Sequence, residues 1–82
     1  MSAPDLTDKN KRVGTRETLK ALEKGEVDKV FVALDAEKHV IMPVINSCME
    51  KNIPIEEIDS MAELGKMCGV EVMTATAACL KE

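Results

Sequence analysis

Few side chains in this sequence are placed to do chemistry. His39 is the only histidine. No cysteine or carboxylate stands at a recognisable ligand spacing from it, so it reads as a helix-start residue, not a metal or catalytic group. Cys48, Cys68 and Cys79 lie 20 and 11 residues apart, with no C-x-x-C pair. That spacing suits neither a disulfide framework nor a zinc knuckle. It suits small apolar thiols in a reducing cytosol. Cys68 is a candidate nucleophile, but no second histidine exists to activate it. Glu56 and Glu57 point to opposite sides of a strand and cannot share acid–base work. Neither G-x-x-x-x-G-K-[ST] nor G-x-G-x-x-G occurs. By elimination the chain reads as a binding module and not an enzyme, with no catalytic residue, metal site or cofactor.

Two stretches ask for more than packing. In the first, Gly14 and Thr15 lead into a helix that carries Arg16, Glu17 and Lys20. Arg16 and Lys20 are four apart and share a face. Free N–H groups at a helix start beside cations suit a phosphate, and Glu17 can accept from a base amino group. The plain alternative is a capped surface helix. The second stretch runs over residues 64–73, where Gly65 and Gly69 bracket a helix end and Val70, Glu71 and Val72 follow. Val70 and Val72 either begin a strand or form an exposed apolar loop that packs against a ligand. Spacing alone leaves both open.

The elements that must position these residues are short. Residues 15–24 read as a helix with Leu19 and Leu22 inward, Thr15 or Thr18 behind them, and Gly25 as its stop. Residues 29–34 are an apolar run rich in β-branched side chains, which fits a buried strand closed by Asp35. Residues 39–51 carry one stripe of Val40, Ile41, Val44, Ile45, Cys48 and Met49. Pro43 then belongs in that helix's first turn, where a missing N–H costs little. A strand is expected at about 54–58, with Ile53, Ile55 and Ile58 as its apolar residues. Ser60-Met61-Ala62-Glu63 is a capping box for a helix over 60–67 with Met61, Leu64 and Met67 or Cys68 inside. Gly65 weakens that helix unless something packs close to it. The small side chains of 74–80 suit a strand under helices, with a helix as the alternative. Alternating helices and strands give an α/β class with helices on both faces of one small sheet.

Composition bounds the function. A chain of 82 residues makes one domain with one modest core and little room for a deep substrate cavity. Hydrophobic residues are 45% and charged residues 32%, so it is globular. Residues 1–10 read as loosely ordered. No apolar run approaches a membrane span and no signal-peptide region is visible, which points to a soluble cytoplasmic protein without a membrane partner. Phe31 is the only aromatic residue, which argues against base-stacking platforms. Net charge is −4, a poor prior for a nucleic-acid binder. The negative charge lies in residues 39–82, whereas residues 9–24 hold six cations (Lys9, Lys11, Arg12, Arg16, Lys20, Lys24) against Glu17 and Glu23. Only that stretch suits a polyanion.

Together the two stretches resemble a known family. Gly14-Thr15-Arg16-Glu17-Thr18-Leu19-Lys20-Ala21-Leu22-Glu23-Lys24-Gly25, followed by Glu63-Leu64-Gly65-Lys66-Met67-Cys68-Gly69-Val70-Glu71-Val72-Met73-Thr74-Ala75, is similar to the kink-turn RNA-binding ribosomal proteins. These are the archaeal large-subunit protein seven-Ae, its eukaryotic relatives and short bacterial homologues. Val30–Asp35 and Asn52–Ile55 also resemble the family's core strand and its Asn-Ile-Pro entry into the next one. The similarity covers about residues 11–80, and the length resembles the compact bacterial branch. It implies a three-layer α/β/α sandwich around a four-stranded mixed sheet, forming a single RNA-binding domain over 1–82. It implies a ribosome-associated protein that binds a kink-turn, a bent RNA duplex with a three-nucleotide bulge beside tandem sheared G·A pairs. By that resemblance Gly14 and Thr15 approach the RNA backbone. Arg16, Glu17 and Lys20 face guanine edges and phosphates. Val70, Glu71 and Val72 form a loop beside the extruded bulge nucleotide. Archaeal members carry Asn where this chain has Arg16, which is always charged and only donates. RNA is read at irregular places, so a specialist for one bend needs few aromatics and a small basic patch. Acidic groups on the far side disfavour non-specific RNA. The motifs contain no long exposed apolar patch and point to a monomer. The rival is a protein-interaction or scaffold domain on the same fold that has lost RNA binding.

Overall fold

The computed structural model describes residues 10–81. Residues 1–9, where a loose end is expected, lie outside the described residues. Asn10 is tied down, because its carbonyl accepts the Leu80 N–H at 3.0 Å. The elements run β1 (Lys11–Val13), α1 (Thr15–Glu23), β2 (Val27–Ala33), α2 (Lys38–Lys51), β3 (Ile55–Ile58), α3 (Met61–Cys68) and β4 (Thr76–Leu80). The strands form one sheet in the order β1-β4-β2-β3. β4 is antiparallel to both β1 and β2, and β2 is parallel to β3, so the sheet is mixed.

Alternation along the strands sorts the core into two faces. Phe31, Ala33, Ile58 and Ala77 pack with Leu64 and Cys68 of α3. Val30, Val32 and Ala78 pack with Ala21 and Leu22 of α1 and with Val44 and Cys48 of α2. The fold is therefore the expected α/β/α sandwich. β2 is covered on both sides, which is why its sequence is a nearly continuous apolar run. The alanines of β4 are fully buried and let helices approach both faces, so residues 76–80 form a strand and not a helix.

β1, β2 and β3 run the same way, and each is followed by a helix. The starts of α1, α2 and α3 therefore emerge at one end of the sheet, together with the start of β4. This end collects the positive poles of three helix dipoles.

The structure differs from the sequence reading at several points. β1 was not expected as a strand; its three residues are half-buried and carry no alternating pattern. β2 starts at Val27 and stops before Leu34, which is 53% exposed. Pro43 sits in the second turn of α2, not the first, because the helix begins at Lys38. The His39 carbonyl thereby loses its usual i+4 donor, while burial of Ile41, Val44 and Cys48 holds the helix. Met49 completes the stripe in sequence but is 69% exposed, because only the centre of that stripe reaches the sheet. Residues 70–75 form a loop, so Val70 and Val72 do not begin a strand. No helix of the described residues is long and apolar enough to cross a membrane.

Candidate nucleic-acid interface

The first expected stretch starts from a backbone that only glycine adopts easily. Gly14 is the N-cap of α1 at φ 100° and ψ 156°, a conformation that strains any side chain. Its N–H donates to the Thr76 carbonyl at 2.9 Å, and its carbonyl accepts the Thr18 N–H at 2.9 Å. No side chain caps this helix. The amides of its first turn have no intrahelical acceptor, so they can serve an anion. Thr15 is half-buried, and its hydroxyl oxygen accepts from the Thr76 hydroxyl at 3.3 Å. Arg16, Glu17 and Lys20 are exposed. The ion pairs among the described residues are Lys29–Glu56 and His39–Glu37, so none of these three charges is spent on an internal partner. Thr18, Ala21 and Leu22 are buried and anchor the opposite face of α1.

The second stretch is a loop strapped along α3. Gly69 ends the helix in the left-handed conformation. The Val70 N–H then donates to the Gly65 carbonyl at 3.1 Å, and the Thr74 N–H donates to the Met61 carbonyl at 3.1 Å. Between these bonds the Val72 carbonyl lies against Gly65, where a Cβ would overlap it. This is the close neighbour that a glycine inside α3 requires. Val70 is half-buried against the core, while Glu71 and Val72 are exposed. A groove of about 350 Å³ runs between helix and loop, lined by Ala62, Lys66, Val70, Glu71, Val72 and Met73.

Thr76 joins the two stretches. It is fully buried at the start of β4, only four residues after Val72, and it holds Gly14 and Thr15 by backbone and side chain. The structure therefore brings Gly14, Thr15, Arg16, Glu17 and Lys20 to the same end of the sheet as the strand into which the Val70–Glu71–Val72 loop runs. Two further exposed apolar residues stand at this end. Met73, 67% exposed, continues the loop beyond Val72, and Leu34 follows β2. Leu34 reads in sequence as the end of a strand, and only its accessibility separates it from the other aliphatics of that run.

The other chemistry-bearing residues are elsewhere. Cys48 and Cys68 are buried. Burial pushes both thiols up, and Lys11 opposes the rise at Cys68. They are protonated and poor nucleophiles at neutral pH. His39 is exposed in the first turn of α2, 3.3 Å from Glu37. Among the described residues no cluster of three or more His, Cys, Asp or Glu is arranged to hold a metal ion.

Comparison with known proteins gives the family. A family model described as the ribosomal protein L7Ae/L30e/S12e/Gadd45 family matches residues 5–82. A protein of Caldanaerobacter subterraneus subsp. tengcongensis, named as RNA-binding, is 50% identical over 66 residues, which are 80% of either chain. An RNA-binding protein of Halalkalibacterium halodurans is 49% identical over 69 residues, 84% of either chain. Among solved structures, the Giardia lamblia 15.5 kD RNA-binding protein superposes with a TM-score of 0.83 at 30% identity. That match covers 89% of this chain and 62% of the Giardia chain, so this chain spans less than two thirds of that protein's length.

Proposed function

This chain belongs to the ribosomal protein L7Ae/L30e/S12e/Gadd45 family, and from that premise we propose that it binds RNA and stabilises a kink-turn. It does so as a monomeric, ribosome-associated cytoplasmic module and not as an enzyme. The observation that carries the reading is the meeting, through Thr76, of an uncapped helix start and an exposed apolar loop. Gly14 and Thr15 meet the RNA backbone, with first-turn amides free for phosphate. Arg16 and Lys20 supply cations on one helix face, and Glu17 accepts from base amino groups. Val72, with Val70 behind it and Glu71 beside it, presents an apolar surface to an unstacked nucleotide. A bent duplex offers phosphates and an extruded base close together, which matches a compact site made of one helix end and one loop. The protein stabilises the bend because it binds the bent conformer more tightly than the straight one. The three convergent helix starts favour an anion here despite the net charge of −4.

The test is a titration of kink-turn RNA labelled on both arms, read by energy transfer, beside a control RNA with the G·A pairs replaced. Bending of the first at submicromolar protein, absent in the control and weakened by salt, is the expected result. Failure of both RNAs to bend at low salt overturns the reading and leaves the protein-interaction role.

A further inference from the structure

We infer that Gly65 is a positioning residue for the RNA-facing loop: by lacking a side chain, it lets the backbone of Val72 dock on α3 and sets the loop in place before RNA arrives. The inference rests on the function proposed above. A glycine inside an eight-residue helix is unfavourable for the helix itself, so its presence calls for a cause outside it. The cause is visible. Gly65 is buried, and a Cβ there would overlap the Val72 carbonyl oxygen, with the Thr74 hydroxyl next nearest. The obstructing atom is backbone, which cannot swing aside as a side chain tip can.

Three further contacts make the docking a strap. The Val70 N–H reaches the Gly65 carbonyl, the Thr74 N–H reaches the Met61 carbonyl, and the Thr74 hydroxyl approaches the Val72 carbonyl at 3.4 Å. The loop is thereby laid along α3 with its backbone inward. Val72 and Met73, each 67% exposed, are left facing out. An apolar pair held outward leaves apolar surface in water, and it is kept there by the backbone docking at Gly65. Preformed loops bind more tightly because their ordering cost is met before association.

The proposal is tested on the full chain with Gly65→Ala and with wild type. In free wild-type protein the amides of Val70 and Thr74 should be protected from hydrogen exchange. In Gly65→Ala that protection should fall while the Leu22 amide in α1 stays protected. Affinity for kink-turn RNA should drop about tenfold. Val72→Ala should then weaken binding in the wild-type background and add little in the Gly65→Ala background, because Val72 is no longer placed. Lys20→Ala should weaken both backgrounds equally. Rapid exchange of the Thr74 amide in free wild type overturns the inference, as does wild-type RNA affinity in a folded Gly65→Ala protein. Should Gly65→Ala not fold, the wild-type exchange pattern decides alone. If wild type does not bind the RNA at all, the proposed function fails and the loop's role in it fails with it, while the exchange data report separately on whether the strap exists.

Discussion

Helices α1 and α3 both carry a glutamate at the third position after the N-cap, Glu17 and Glu63, yet their starts are finished differently. At α3 the Ser60 hydroxyl oxygen accepts the Glu63 N–H at 3.1 Å, and the Asp35 carboxylate accepts the Met61 N–H at 2.8 Å. Side chains from two segments thus close that end. At α1 the N-cap is Gly14, and among the described residues no side-chain cap bond closes the helix start. A serine cap improves on a glycine cap by roughly a few tenths of a kcal/mol, so α1 forgoes a little stability at its start. Its adjoining charges, Arg16, Glu17 and Lys20, also form no ion pair among the described residues. The contrast teaches that one helix start is finished by side chains of the protein itself, and the other is left open, as the proposed RNA contact requires.

The largest effects should show that the difference concerns the starts and not the anchoring. Leu22 and Leu64 are both fully buried, one under each helix. Leu22→Ala and Leu64→Ala should each lower unfolding free energy by about 2–5 kcal/mol, read from denaturant midpoints. A markedly cheap Leu22→Ala would mean that α1 is loosely held and its open start is mere fraying. Next, Glu17→Ala and Lys20→Ala should each weaken kink-turn RNA binding by about 1–3 kcal/mol with little change in stability. Glu63→Ala, at the equivalent position of the closed helix, should leave RNA affinity unchanged. Equal effects from Glu17 and Glu63, or none from Glu17 and Lys20, would break the contrast. Ser60→Ala should then cost about 1 kcal/mol of stability without loss of RNA binding, measured by thermal unfolding and titration side by side.

The smallest effect compares the two core layers. Burial raises the Cys48 and Cys68 thiols above their ordinary value, with Lys11 opposing at Cys68. The folded state keeps these protons while the unfolded state releases them as pH rises past about 8.5. Stability should therefore be full below that pH and decline above it. In urea titrations at successive alkaline pH values, Cys48→Ala should flatten the decline more than Cys68→Ala. A decline that is identical in wild type and both variants would show that the thiols contribute nothing to it.

Much of this architecture is legible locally. The Ser60 cap on Glu63, the stop at Gly25 and the central stripe of α2 involve residues within a few positions of one another, and each forms as read, although only the serine half of the capping box is made. Asn52, Ile53 and Pro54 also do what their types suggest. Asn52 ends α2 in the left-handed conformation, the Ile53 N–H returns to the Cys48 carbonyl, and the Pro54 carbonyl accepts the Val30 N–H. What was not legible depends on distant partners. β1 has three half-buried residues with no pattern of their own and is a strand only because β4 pairs with it. Leu34 and Met49 are apolar residues that simply overrun the surface available to cover them.

The candidate site divides the same way. Residue types and spacing alone marked Gly14–Lys20 as a helix start suited to phosphate and left Val70–Val72 open between strand and loop. The loop was decided by Gly65, whose bare backbone accepts Val72. The joining of the two stretches was decided by Thr76, whose hydroxyl meets that of Thr15 across a sequence separation of 61. Caps and stripes are set by interactions between near neighbours, so the sequence by itself determines them. Strand pairing and close backbone approach exist only once the sheet has formed and buried its two faces, so only the tertiary structure decides which charges, amides and apolar side chains meet at one end.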